Sequence, residues 1–166
     1  MNNNISLEAV NIGKYYVPDK YIFQDVNLNL KSANSLIIKG KNGSGKTTLL
    51  KILSGIIKPS RGKFNITYNQ IPVIKDNIYK YVAYVAPYLN LYDEFSPMEL
   101  YNIWCNLKSI NSSEDKFIEL LRQFNIFRQK DNLIGTFSSG MKQKLKYCLA
   151  FSNFFPILFI DEPYTN

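Results

Sequence analysis

The sequence predicts an α/β fold arranged around one strand–turn–helix unit, and three observations carry the prediction. The apolar run Leu36-Ile37-Ile38 leads into the glycine-rich stretch Gly40-Lys41-Asn42-Gly43-Ser44-Gly45-Lys46-Thr47-Thr48. Leu49, Leu50, Ile52 and Leu53 then follow at the spacing of a helix packed on a sheet. The N-terminal segments alternate apolar and polar residues, as half-buried strands do. A second apolar run, Ile157-Leu158-Phe159-Ile160, ends on two carboxylates, Asp161 and Glu162.

The elements follow in order. Residues 5–10 alternate as a strand. Residues 11–20, with Gly13, Pro18 and Asp19, read as a turn or loop, and residues 21–30 alternate again around Ile22, Val26, Leu28 and Leu30. These antiparallel strands are expected to feed a buried strand at 36–39. Helix stop-and-turn chemistry follows at Gly55 and at Lys58-Pro59-Ser60-Arg61-Gly62, with further strands expected over 63–68 and 81–86. From 87 to 137 the pattern turns helical. Ser96-Pro97 with Glu99 marks a helix start, followed by the stripe Leu100, Ile103, Trp104 and Leu107. Ser112 or Ser113 is expected to cap the next helix, with Phe117, Leu120, Leu121 and Phe124 on one face. Ser138 or Ser139 should cap a last helix carrying Leu145, Cys148 and Leu149.

The composition sets the class. The chain of 166 residues is long enough for one domain with a core, and 46% hydrophobic with 20% charged residues excludes a disordered chain. No apolar run approaches the roughly 20 residues that span a bilayer. The start, Met1-Asn2-Asn3-Asn4, has no apolar leader core, so a cytosolic location is the expectation. The net charge of +7 favours polyanionic partners, but the lysines are scattered. The one cluster, Lys142, Lys144 and Lys146, reads as a solvated helix face. Cys105 and Cys148 lie in amphipathic stretches and read as buried free thiols. The chain has no histidine, which removes Ser-His and Cys-His catalysis and most catalytic zinc sites.

Two clusters carry chemistry. Residues 40–48 fit the phosphate-loop pattern G-x-x-x-x-G-K-[ST]. Gly40, Gly43 and Gly45 let successive N–H groups turn inward toward a phosphate, and the helix behind adds its positive end. Lys46 supplies a charge for the β- and γ-phosphates, and the Thr47 hydroxyl suits Mg²⁺. At the end of the second apolar run, one carboxylate can hold Mg²⁺ and its neighbour can orient or deprotonate water. A third, weaker feature is the helix start at Phe137-Ser138-Ser139-Gly140-Met141.

Taken together, these motifs resemble the nucleotide-binding subunit of an ATP-binding cassette (ABC) transporter over essentially the whole chain. Residues 40–48 resemble its Walker A loop, 137–141 its Leu-Ser-Gly-Gly-Gln signature and 157–162 its Walker B strand, followed by Pro163. The 92 positions from Lys46 to Ser138 suit a short helical subdomain, without the coiled coils of DNA-repair relatives. The resemblance implies an α/β P-loop NTPase core with an N-terminal antiparallel β subdomain and a helical subdomain at about 88–137, in one ABC domain spanning 1–166. It implies ATP and Mg²⁺ as ligands. Tyr16, with Tyr15 as fallback, would stack on adenine. Gly40, Asn42, Gly43, Ser44, Gly45, Lys46, Thr47 and Thr48 would hold the phosphates, with Thr47 and Asp161 serving the metal. Glu162 would be the general base and Lys46 the phosphate charge in catalysis. Ser138, Ser139, Gly140 and Met141 would act on nucleotide held by a second, head-to-tail ABC subunit. A transmembrane permease is the implied partner, placing the chain on the cytoplasmic membrane face, and no nucleic acid is expected.

The sequence also departs from the family pattern. Ser139 replaces the signature's first glycine, and Met141 replaces its glutamine, as in export-type cassettes. Pro87 and Tyr88 stand where the family has a metal-sensing glutamine. The sequence stops at Asn166, before the strand and switch histidine that the family carries, so part of the core sheet is expected to be missing and turnover by this chain to fall below the family's rate. Transport ATPase, soluble non-transport cassette and nucleotide-binding module without turnover all stay open at this stage. Residues 87–95 are expected either to meet the permease or to fold back on the helices.

Overall fold

The computed structural model describes residues 4–109 and 114–162, so the expected caps Ser112 and Ser113, and also Pro163, lie outside the described residues. The chain divides into two compact units, Met1–Val82 and Ala83–Asn166.

In the first unit β1 (Ile5–Val17), β2 (Lys20–Lys31), β3 (Arg61–Tyr68) and β4 (Ile71–Pro72) form an antiparallel sheet in the order β2-β1-β3-β4. Alternation builds the central strand: Ile5, Leu7 and Ala9 are buried while Glu8 and Val10 face out. The alternation then slips. Asn11 takes a left-handed φ of 51°, and the pairing register shifts between Ala9 and Ile12. One extra residue reverses the parity of a strand, so Ile12 returns to the buried face. The loop expected over 11–20 is therefore a continuing bulged strand, with its turn confined to Pro18 and Asp19. Gly13 reads as a chain breaker because bulge residues share the composition of turns.

Helix α1 (Lys46–Leu53) buries Leu49, Ile52 and Leu53. Its end is closed by Gly55 at φ 80°, whose N–H donates to Ile52 O (3.0 Å) while Ile56 N–H donates to Lys51 O (2.9 Å). Those two bonds satisfy carbonyls that a helix end otherwise leaves open. The expected strand at 36–39 does not form: residues 34–41 belong to no strand, and Ile37 is 76% exposed. An apolar run becomes a strand only when neighbours pair its backbone, and among the described residues no strand pairs with it.

In the second unit β5 (Val82–Val85, beginning on the last residue of the first unit) pairs with β6 (Ile157–Ile160), beside α2 (Pro97–Lys108), α3 (Glu114–Gln123) and α4 (Ser139–Phe151). Helix α2 starts as expected. Glu99 N–H donates to Ser96 Oγ, Ser96 N–H donates to Glu99 Oε2, and Pro97 fills the first turn. Leu100, Tyr101, Phe117, Leu121, Leu145 and Cys148 form the core, in which the Tyr101 and Phe117 rings stack at 4.3 Å. Cys105 and Cys148 are buried thiols outside any disulfide, and burial pushes the Cys148 thiol up to about 12. Leu91 and Phe95 pack against this core, whereas Tyr92 is exposed.

The Lys108 ammonium sits over the rings of Trp104 (5.7 Å) and Phe155 (5.1 Å). Ring faces favour the cation, but burial outweighs them and lowers Lys108 from 10.5 to about 8. The charged form is thus disfavoured by folding, fully below pH 8, and the penalty fades as pH rises from about 8 to 10.5. Urea unfolding at pH 7 and pH 10 should show the parent gaining stability relative to Lys108→Met at the higher pH. A difference that stays constant across that window would exclude the burial effect.

Candidate functional site

The loop at 40–48 reverses the chain without a side-chain cap. Ser44 N–H donates to Lys41 O (3.2 Å), Gly43 and Gly45 take φ of 81° and 89°, and α1 begins with Leu49 N–H on Gly45 O (2.8 Å). With glycine at the N-cap and no acidic residue in the first turn, the helix start keeps its positive end unmatched. A Cβ on Gly40 would lie 2.6 Å from Ser44 Oγ. One on Gly45 would lie 2.6 Å from Ile22 Cγ2 and 2.8 Å from Phe23 Cδ1. The Lys46 ammonium folds back across the turn and donates to Gly40 O and Lys41 O, each at 2.9 Å. The loop is thus a turn packed at Gly40 and Gly45, with the Lys46 cation resting on the loop's own carbonyls.

The residues present fit a phosphate group. A Cβ at Gly40 would crowd Ser44 within the turn, one at Gly45 would strike Ile22 and Phe23 behind it, and the exposed Asn42 and Ser44 add no negative charge. Thr47 and Asp161 offer oxygen donors only, which suits Mg²⁺. Of the two tyrosines named for the base, Tyr15 packs edge-on against Tyr21 at 5.3 Å. Tyr16 is 68% exposed, with Lys14 Nζ 5.0 Å from its ring centre.

In the second unit Asp161 follows β6, anchored by its N–H on Val85 O (2.8 Å), and its side chain is buried. Its Oδ2 is met by the hydroxyls of Tyr84 (3.2 Å) and Tyr88 (3.0 Å), which also lie 2.6 Å from each other. Burial raises both phenols above their ordinary value, aided at Tyr84 by the Tyr88 bond and the charge of Asp161, so both stay protonated donors at neutral pH. Tyr84 is a residue that sequence reasoning passed over. The only signal was its phase on β5, which alternation alone assigns to packing. Glu162 is exposed and holds a left-handed φ of 49°, an unusual backbone state for a residue with a side chain.

Ser138 caps α4, its Oγ accepting from Met141 N–H (3.2 Å). Ser139 sits in the first helical turn and not among the positive-φ residues, so its Cβ brings no strain. The space beside Gly140 is open. Of the three α4 lysines expected on a solvated face, Lys144 is exposed but Lys142 and Lys146 are engaged. Lys142 pairs with Asp93 (2.7 Å), and Lys146 donates to Pro87 O (2.6 Å) and Ala86 O (3.2 Å). These contacts hold segment 86–93 to α4, leaving a groove of about 780 Å³ lined by Leu89, Leu91, Gly140 and Gln143.

Comparison with known proteins agrees with this geometry. The family profile described as ABC transporter matches residues 23–165. The chain is 27% identical over 166 residues to the cytochrome c biogenesis ATP-binding export protein CcmA of Histophilus somni, covering 99% of the chain and 74% of that protein. It is 28% identical to the bacitracin transport ATP-binding protein BcrA of Bacillus licheniformis, over 95% of the chain and 51% of the relative. It is 26% identical to ABC transporter A family member 9 of Dictyostelium discoideum, over 99% of the chain but 20% of the relative. A solved ATP-binding subunit of an ABC transporter superposes with a TM-score of 0.82 at 28% identity, over 95% of this chain and 66% of that one. The chain thus spans from a fifth to three quarters of the length of these curated relatives.

The two loop glycines separate conformational strain from crowding. Gly43 at φ 81° has nothing within 4 Å of an added Cβ, so Gly43→Ala should cost only the left-handed penalty, about 1–2 kcal/mol. Gly45→Ala adds the collision with Ile22 and Phe23 and should cost clearly more in chemical denaturation. Equal costs would mean that the loop does not pack on β2 as described.

Proposed function

The chain belongs to the ABC transporter family, and on that premise we propose that it is the ATP-binding and ATP-hydrolysing part of a transporter. The cradle at 40–48, with Lys46 resting on the loop's own carbonyls, is the observation that carries the reading. Those two hydrogen bonds hold the ammonium at the loop until a polyphosphate takes their place. The loop N–H groups and Lys46 would bind the β- and γ-phosphates, with Gly40, Asn42, Gly43, Ser44, Gly45 and Thr48 shaping the turn. Tyr16, the exposed tyrosine, would offer its ring face to adenine. Mg²⁺, when bound, would supply positive charge to the phosphate oxygens, held by the Thr47 hydroxyl and, through water, by Asp161. Glu162 would take the proton of the attacking water, and its exposed, strained position is what a residue kept for chemistry looks like.

Both compact units belong to one ABC domain in this reading, with the helices within about 88–137 as its helical subdomain. Ser138, Ser139, Gly140 and Met141 act in trans on nucleotide held by a second ABC subunit, which the open space beside Gly140 supports. No described helix is long and apolar enough to cross a membrane. In this reading transport runs through a transmembrane permease as partner, with the chain bound at its cytoplasmic face. The groove beside segment 86–93 supports that contact. Export is the direction favoured by Met141 and by the export roles in the names of CcmA and of the bacitracin export protein BceA of Halalkalibacterium halodurans, 28% identical over 95% of the chain.

Titration with a fluorescent ATP analogue tests the reading. Lys46→Ala should weaken binding by more than tenfold, about 1.4 kcal/mol or more, since it removes a charge-assisted phosphate contact. Equal affinity of parent and variant would overturn the assignment. Any phosphate release by the parent should vanish in Glu162→Gln while nucleotide binding persists. Release that survives this change would remove Glu162 from the chemistry.

A further inference from the structure

We propose that Tyr88, backed by Tyr84, is the positioning residue that fixes the Asp161 carboxylate for its metal, a role that rests on the nucleotide reading above. The geometry is a triangle of oxygens. Tyr84 Oη and Tyr88 Oη are 2.6 Å apart, and they lie 3.2 Å and 3.0 Å from Asp161 Oδ2. Two phenol protons serve these three contacts. If Tyr84 donates to Tyr88, then Tyr88 donates to Oδ2. If Tyr88 donates to Tyr84, then Tyr84 donates to Oδ2. In the remaining arrangement both donate to Oδ2. Each of these arrangements puts at least one phenol proton on Oδ2.

Among the described residues no side chain donates to Oδ1. The carboxylate is therefore held in one rotation, with Oδ2 spent on the protein and Oδ1 kept as an acceptor for metal-bound water. The backbone N–H of Asp161 on Val85 O fixes the other end of the same residue. Tyr84 also lies against Phe159 of β6, 6.5 Å between ring centres, which ties the clamp to the strand that carries Asp161. Outer partners of this kind orient a metal's carboxylate, and their removal commonly costs about tenfold or more in metal affinity.

The test compares the parent with Tyr88→Phe and Tyr84→Phe, reading metal binding apart from turnover. Mn²⁺ is titrated by electron paramagnetic resonance into protein loaded with a non-hydrolysable ATP analogue, and analogue affinity is measured separately in EDTA. Tyr88 is 42% exposed, so losing its hydroxyl leaves the packing in place. Tyr88→Phe should bind Mn²⁺ about tenfold more weakly, with metal-free nucleotide affinity unchanged, and Tyr84→Phe should shift it in the same direction. Mn²⁺ affinity equal to or tighter than the parent's in both variants overturns the positioning role, the tighter result marking the phenols as competitors of the metal. An equal fall in metal-free nucleotide affinity also overturns it, since the effect would then be structural. A parent that binds no nucleotide at all overturns the nucleotide reading itself, which separates that failure from this one.

Discussion

A phosphate site made of backbone has to keep several N–H groups pointing at one spot without letting a side chain or a carbonyl fill it. Residues 40–48, proposed as such a site, have three features that serve it. Glycines at φ 81° and 89° turn the chain through states that other residues resist. Close packing of Gly40 on Ser44 and of Gly45 on Ile22 and Phe23 fixes the turn from outside. The Lys46 ammonium engages the carbonyls of Gly40 and Lys41. The bulged antiparallel sheet supports the loop through β2, and α1 carries its last N–H groups into a helix whose Leu49, Ile52 and Leu53 are buried.

The second unit answers a different requirement, which is to hold a carboxylate under cover without neutralising it. Asp161 is buried, and a buried charge is costly unless donors compensate it. Two phenols are a mild solution. They donate hydrogen bonds but bring no positive charge to compete with a cation, and they leave one carboxylate oxygen uncommitted. A lysine or arginine in the same place would satisfy the carboxylate more strongly and block it. The nearby lysines of α4 are turned elsewhere, Lys142 to Asp93 and Lys146 to the carbonyls of Ala86 and Pro87. Burial and the Lys142 charge both lower the pKa of Lys146 from its usual value.

What was legible in the sequence was local. The capping box at Ser96 and Glu99, the cap at Ser138, the helices α2 and α4 and the glycine loop all depend on residues a few positions apart, so their spacing reveals them. The misses depend on partners distant in sequence. Leu36-Ile37-Ile38 has the composition of a strand but no described neighbour to pair with, and composition cannot supply one. The stretch 11–17 has turn-like residues, yet β2 and β3 on either side hold it in the sheet through a bulge. The Tyr84–Tyr88–Asp161 cluster joins residues more than seventy positions apart, and no pattern along the chain announces it. The lysines at 142 and 146 looked solvated because their acceptors lie on a distant segment.

Amide NMR of the isotopically labelled chain, recorded with and without ATP, tests most directly whether the 40–48 backbone is the phosphate cradle. If it is, the N–H resonances of Gly43 to Thr48 move downfield on ATP addition, as hydrogen bonds to a charged oxygen require, and they do so far less with adenosine. Resonances of that loop that stay in place while others shift, or equal shifts with adenosine, would contradict it.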